Sequence, residues 1–163
     1  MNSPYMGDFK VTQEYKGNDH DGLDLVGIAS KEIHSTVNGI VEFAGWENSS
    51  DQSQGFGQYV KIIDDVSGYG YSSIKVKVGD RVKITDIIGI EGSTGNSTGS
   101  HCHYCIRKNG KGTHIDVSAV SGIPNKLGTY NDGYVSGSGN KSENKSVTLI
   151  IDGITYSGTF TKK

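Results

Sequence analysis

Apolar residues in this chain come in short β-branched and aromatic runs that partly alternate with polar residues and stop at turn dipeptides. Ile40 to Trp46, Gln58 to Ile63 and Ile74 to Val78 read as strands between Asn-Gly, Gly-Gln and Gly-Asp turn signals, and Ile84 to Ile90 and Cys102 to Ile106 continue the series. No stretch carries a sustained i, i+3, i+4, i+7 apolar stripe of helical length, so helix content is expected to be low. Glycine supplies 24 of the 163 residues and proline 2, a composition that suits tight turns between short strands. The expected fold is all-β, with a compact antiparallel sheet around one core.

The same features exclude several classes. The glycines keep no every-third-residue period, so collagen is ruled out. No apolar run approaches the roughly 18 residues of a membrane helix, so no membrane span is expected. Sixteen basic and eighteen acidic side chains give a net charge of -2, without the dense cationic block that neutralises a phosphate backbone. Nucleic acid is not an expected partner. Met1 to Lys10 lacks a charged region followed by an apolar one, so no signal peptide is read there.

Composition shifts after Tyr130. Residues 1–134 read as the main domain, residues 135–145 (VSGSGNKSENK) as a flexible linker, and residues 146–163 as a C-terminal β-hairpin. In the hairpin, Val147 to Ile151 and Ile154 to Phe160 are strands joined by the two-residue turn Asp152-Gly153. A lone hairpin is marginal in water, so it is expected to dock on the main domain or to pair with another copy in a homo-oligomer.

Two polar clusters can carry chemistry. One is His20-Asp21-Gly22-Leu23-Asp24; the other is His101-Cys102-His103, which follows the glycine-serine turn from Gly92 to Ser100. Side chains alternate along a strand, so His101 and His103 share one face and Cys102 the other. His20 and Asp24, four apart, can also share a face. Together the clusters offer nitrogen, oxygen and nitrogen donors, a three-ligand set with a fourth position left for water, as in catalytic zinc sites. Cys102 and Cys105, three apart on a strand, point to opposite faces and cannot grip one ion together; Cys102 reads as a small buried residue, and Cys105 shares the face of His103. His34 and His114 have no partner at ligand spacing and read as surface residues.

These strings resemble a known family. His20-Asp21-Gly22-Leu23-Asp24-Leu25, Val37-Asn38-Gly39-Ile40-Val41, Gly57-Gln58-Tyr59-Val60, Val78-Gly79-Asp80-Arg81-Val82, Ile88 to Gly95 and His101-Cys102-His103-Tyr104 are together similar to zinc endopeptidases of the lysostaphin and LytM type, over about Val11 to Asp116. The resemblance implies a compact antiparallel β-sheet core of the barrel-sandwich kind. It implies a single Zn2+ held by His20, Asp24 and His103, and hydrolysis of amide bonds in bacterial peptidoglycan. His101 corresponds to the family's histidine that is not a ligand, placed to act as general base, and Tyr15 is a candidate oxyanion donor. Tyr69, Tyr71 and Thr98 are candidates for substrate binding, and the loop from Trp46 to Phe56 is expected to set which bond is cut. The hairpin could then also be a remnant of a larger wall-binding module. Without a signal peptide, the chain looks like a phage or prophage lysis enzyme, made in the host bacterial cytoplasm and acting on the wall after release, or like a virion-associated module.

The chain departs from the family at one point. Where a second histidine outside the ligand set is expected, the stretch reads Gly68-Tyr69-Gly70-Tyr71-Ser72-Ser73-Ile74, with Gly70 at the imidazole position. A tyrosine hydroxyl there could donate a hydrogen bond but, with an ordinary pKa of about 10, would be a poor base at neutral pH. The alternative reading is therefore a catalytically impaired relative that keeps zinc and serves in wall binding or regulation. A biotinyl or lipoyl carrier domain shares the glycine-valine rhythm, but no Met-Lys pair is present to carry the cofactor.

Overall fold

The computed structural model describes residues 2–64, 68–71, 74–108, 113–133, 145–151 and 154–160. In chain order the elements are β1 (Asp8–Gln13), β2 (Gly22–Gly27), β3 (Glu32–His34), β4 (Gly39–Trp46), β5 (Gln58–Asp64), β6 (Gly68–Tyr71), β7 (Arg81–Val82), β8 (Ile87–Ile90), β9 (Cys102–Arg107), β10 (His114–Ile115), α1 (Val117–Ser121), β11 (Gly128–Asn131), β12 (Lys145–Ile151) and β13 (Ile154–Phe160). Nine strands make one antiparallel sheet in the order β11-β1-β2-β9-β6-β5-β4-β7, with β10 also pairing β9, and β3 pairs β8 separately. α-Helix is confined, among the described residues, to the five of α1. The fold is all-β, as the strand-length runs demand.

Period-two alternation builds the core. Phe9 and Val11 of β1, Leu23 and Leu25 of β2, Val60 and Ile62 of β5, and Cys102, Tyr104 and Ile106 of β9 are all buried. Each such aliphatic side chain contributes about 1.5–3 kcal/mol through burial. The residues between them on β2 and β9 are sent to the opposite face, and that face carries the polar clusters.

Two expected strands differ. Ile74 to Val78 is not a strand: the Lys75 N–H donates to the Ile88 carbonyl at 2.8 Å, and the Lys77 N–H is taken by the Asp80 carboxylate at 3.0 Å. Of the Ile84 to Ile90 run only β8 is extended, because the Lys83 N–H bonds the Asp86 carboxylate at 2.8 Å and Thr85 turns with φ 79°. In both places an aspartate side chain captures a backbone donor that a ladder would need. His34 is a further correction. It is buried, and its Nδ1 donates to the Thr85 carbonyl at 2.8 Å.

At the C-terminus, β12 and β13 pair antiparallel with Ile151 opposite Ile154, the register a two-residue connection imposes. The intervening Asp152-Gly153 turn and the linker positions up to Asn144 lie outside the described residues.

Candidate active site

Register brings the two clusters together. In the β2–β9 pair, Asp24 lies directly opposite His103, Leu25 opposite Cys102 and Gly22 opposite Cys105. Because Leu23 and Leu25 point into the core, Asp24 points out of it, and because Cys102 and Tyr104 point in, His103 joins Asp24 on the outer face. His20 precedes β2 at an isolated bridge to Gly17, and His101 precedes β9 at a bridge to Gly92.

Three donor atoms converge. His20 Nε2 is 3.1 Å from Asp24 Oδ1 and 3.2 Å from His103 Nδ1, and His103 Nδ1 is 2.9 Å from Asp24 Oδ1. The outer nitrogen of each ring is committed elsewhere, to partners that can only accept. His20 Nδ1 donates to the Glu14 carbonyl at 2.7 Å, and His103 Nε2 donates to Asp21 Oδ1 at 3.0 Å. With a metal ion in place, rings so held would turn two lone pairs and one carboxylate oxygen toward it; without the ion, three acceptors face one another and protons must bridge them. Tetrahedral coordination with bonds of about 2.0–2.2 Å needs donors about 3.3–3.6 Å apart. The observed spacings are a few tenths of an ångström shorter, so the set fits a metal ion.

Electrostatics agree. Burial opposes ionisation of Asp24, but hydrogen bonds from His103 and His20 outweigh it and hold the carboxyl well below the usual range. For His103 burial opposes the charge, and the hydrogen bonds to Asp21 and Asp24, with a further one to Cys105, push the imidazole well above its ordinary value. Asp21 is lowered by its hydrogen bond from His103, against burial, with the charges of His103 and Arg107 adding to it.

His101 stands beside this triad. Its Nδ1 donates to the Gly99 carbonyl at 2.8 Å, which leaves Nε2 with a lone pair 3.8 Å from Asp24 Oδ1. Ser97 Oγ lies 3.3 Å from the same Nδ1, and the His101 N–H is anchored on the Gly92 carbonyl at 3.1 Å. All four residues open onto a cleft of about 540 Å3 whose rim includes Thr98, Asn96, Thr94, Asn18, Glu47 and Phe56. Gly57 and Gly95 pin its two loops together. A Cβ on Gly57 would lie 2.4 Å from the Gly95 nitrogen, and both residues hold positive φ, 69° and 72°.

Other candidates fall elsewhere. Tyr15 does not line the cleft; its hydroxyl is bonded to His114 Nδ1 at 2.9 Å, and its ring packs partly buried against the core. His114, read as an unpartnered surface residue, is held by Tyr15 and by Asn18 Oδ1 at 2.9 Å. Tyr69 and Tyr71 belong to β6, where Tyr69 pairs with Ile106 and Tyr71 with Val60; their side chains lie outside what the structure describes. Cys102 and Cys105 are both buried, as free thiols.

Sequence reasoning passed over Asp21 and Arg107. Arg107 bonds the second Asp21 oxygen with its Nη2. The signal was present: Arg107 is four residues beyond His103 on one strand, hence on its face, and Asp21 sits inside the first cluster.

A curled antiparallel sheet whose outer face gathers a His-Asp-His set in a cleft is the framework of a metallopeptidase. The family model of peptidase family M23 matches residues 18–117, and the chain belongs to that family. It is 34% identical over 154 residues to the glycyl-glycine endopeptidase ALE-1 of Staphylococcus capitis, covering 85% of this chain and 41% of that protein. It is 37% identical over 93 residues to lysostaphin of Staphylococcus simulans, covering 54% of this chain and 18% of that one. The chain thus spans less than half the length of these curated relatives. Among solved structures, the catalytic domain of lysostaphin from S. simulans superposes with TM-score 0.57 at 30% identity, over 70% of this chain and 90% of that one. The catalytic domain of a point mutant of the prophage-encoded M23 protein EnpA from Enterococcus faecalis gives TM-score 0.57 at 29% identity, over 71% and 94%.

Proposed function

We propose that this chain is a zinc-dependent endopeptidase that hydrolyses amide bonds in the peptides of bacterial peptidoglycan. The observation that carries the reading is the convergence of His20 Nε2, Asp24 Oδ1 and His103 Nδ1 within 3.2 Å of one another at the floor of an open cleft. Zinc on these three would polarise a scissile carbonyl and lower the pKa of water toward about 7. The chain's own part in proton transfer falls to His101: with Nδ1 committed to Gly99, its Nε2 can take a proton from the attacking water and return it to the departing amine. Similarity to glycyl-glycine endopeptidase ALE-1 and lysostaphin supports a wall peptide as substrate. Similarity to a prophage-encoded relative supports a role in lysis or in the virion.

Purified walls incubated with the protein should lose turbidity, stop doing so with a chelator, and resume when zinc is restored. Zinc bound at one per chain without any lysis would instead support the second reading, a wall-binding or regulatory relative. That reading is favoured by Gly70, where an imidazole was expected.

A further inference from the structure

We propose that Asp21, held by Arg107, is the positioning residue that fixes the His103 ring and sets how tightly the site binds its metal. The proposal rests on the metal reading above and concerns residues that hold no metal themselves. Both partners leave no ambiguity of direction: a carboxylate only accepts and a guanidinium only donates, so the proton between His103 and Asp21 belongs to Nε2. Asp21 takes that proton on Oδ1 at 3.0 Å and the Arg107 Nη2 on Oδ2, so both of its oxygens are spoken for.

The ring is thereby restrained on several sides. Nε2 is tied to Asp21, Phe56 lies over the ring with centroids 5.6 Å apart, and Gly22 closes its edge. Asp21 adjoins His20 in the chain, so one peptide link couples the residue that orients one imidazole to the residue that supplies the other. Arg107 comes from the same face of β9 as His103, four residues on, so the clamp spans β9 and the approach to β2. In the neutral ring that a metal requires, loss of Asp21 frees the remaining proton to move to Nδ1, where it would occupy the lone pair that faces Asp24 and His20. Partners of this kind typically govern metal affinity by about 10–100-fold.

The test measures zinc affinity at neutral pH by competition with a chromogenic chelator, for the full chain and for Asp21→Ala, Asp21→Asn and Arg107→Gln. Asp21→Ala is expected to bind about 10–100-fold more weakly. Asp21→Asn, whose amide oxygen still accepts the Nε2 proton, should fall between it and the parent, and Arg107→Gln should show a smaller loss. Long-range 1H–15N spectra of the metal-free proteins, recorded at a pH high enough that the His103 ring is neutral, give a readout that a general loss of stability would not move: His103 should carry its remaining proton on Nε2 in the parent and show mixed tautomers in Asp21→Ala. Should Asp21→Ala fail to fold, the isosteric Asp21→Asn carries the comparison. Affinity within twofold of the parent in the folded variants, with the Nε2 tautomer retained, overturns this proposal alone. A parent that binds no zinc overturns the metal reading and this proposal with it.

Discussion

Gly22 lies so close beneath His103 that a Cβ built on it would stand 2.8 Å from the imidazole Nε2 and 2.7 Å from the Tyr104 carbonyl oxygen. Its φ is unremarkable, so the glycine is required here for space rather than for backbone freedom. Gly22→Ala must push β2 away from β9 or rotate the His103 ring, and either change breaks the donor triangle. Overpacking of this kind costs about 1–3 kcal/mol. The variant should remain folded with a lowered urea midpoint and lose most of its zinc affinity. Zinc titration beside urea unfolding checks both, and full zinc affinity in a folded Gly22→Ala would contradict the packing argument.

The division between ligands and base is separable by substitution. His20→Ala and His103→Ala should each bind less than one zinc per chain after dialysis, whereas His101→Ala should keep about one, because its Nε2 is 3.8 Å from Asp24 and outside the triangle. His101→Ala should nonetheless lose wall lysis by two or more orders of magnitude, on the order of what general acid–base catalysis supplies. Elemental analysis paired with turbidity assays distinguishes these outcomes.

Opposed pKa shifts give the metal-free and metal-loaded proteins different pH responses. His103 is raised above its ordinary 6.5, so its charged contacts with Asp21 and Asp24 contribute stability that is fully present below about 6.5 and lost as pH rises through the raised value. Asp24 is lowered from 3.8, so its contribution is present above that value and lost only as pH falls through the depressed one. The metal-free protein should therefore melt at progressively lower temperature as pH climbs above about 6.5. Zinc must displace the His103 proton, so its affinity should strengthen over that same climb. Melting curves with and without zinc from about pH 5 to pH 9 test this; a metal-free melting temperature that rises across the range would contradict it.

How far the site could be read in advance follows from periodicity. Alternation along β9 put His101 and His103 on one face, and this needs nothing beyond the strand. That Asp24 meets His103 rather than His101 depends on the β2–β9 register, a pairing of residues 79 positions apart that local pattern does not encode. Ile74 to Val78 had the residues of a strand and became a loop because Asp80, just outside the run, takes the Lys77 donor. Tyr15 was legible as a residue near His20 but not as the partner of His114, which arrives from β10 across the fold.

Glu91 reads in the sequence only as part of a glycine-rich string, yet its carboxylate is completely enclosed. Oε2 accepts from the Tyr5 hydroxyl at 2.6 Å and the Gly27 N–H at 2.8 Å; Oε1 accepts from Lys31 at 2.8 Å and Ser100 at 2.7 Å. Burial opposes its charge, and these donors outweigh burial and keep its pKa low. Glu91→Leu would strand buried donors at roughly 1–3 kcal/mol each, whereas Tyr5→Phe removes one hydrogen bond worth about 1 kcal/mol. Ser100 precedes His101, so Glu91→Leu should also slow lysis more than it weakens zinc binding. Urea unfolding with zinc titration checks the order, and a Glu91→Leu variant as stable as the parent would contradict it.

Gly70 offers the sharpest test of the two functional readings. In the β6–β9 pair it lies opposite Cys105, and directly opposed residues of an antiparallel pair send their side chains to the same face. Cys105 shares its face with His103, so a side chain added at position 70 would leave β6 on the side that carries the site. If the chain is a peptidase working below its capacity for want of a second imidazole, Gly70→His should raise kcat on purified walls by an order of magnitude or more. General acid–base groups supply about 10²–10⁴-fold. Zinc stoichiometry should stay unchanged. If the parent already lyses walls at a rate the substitution cannot improve, position 70 is no lost catalytic site, and His101 alone carries the proton transfer.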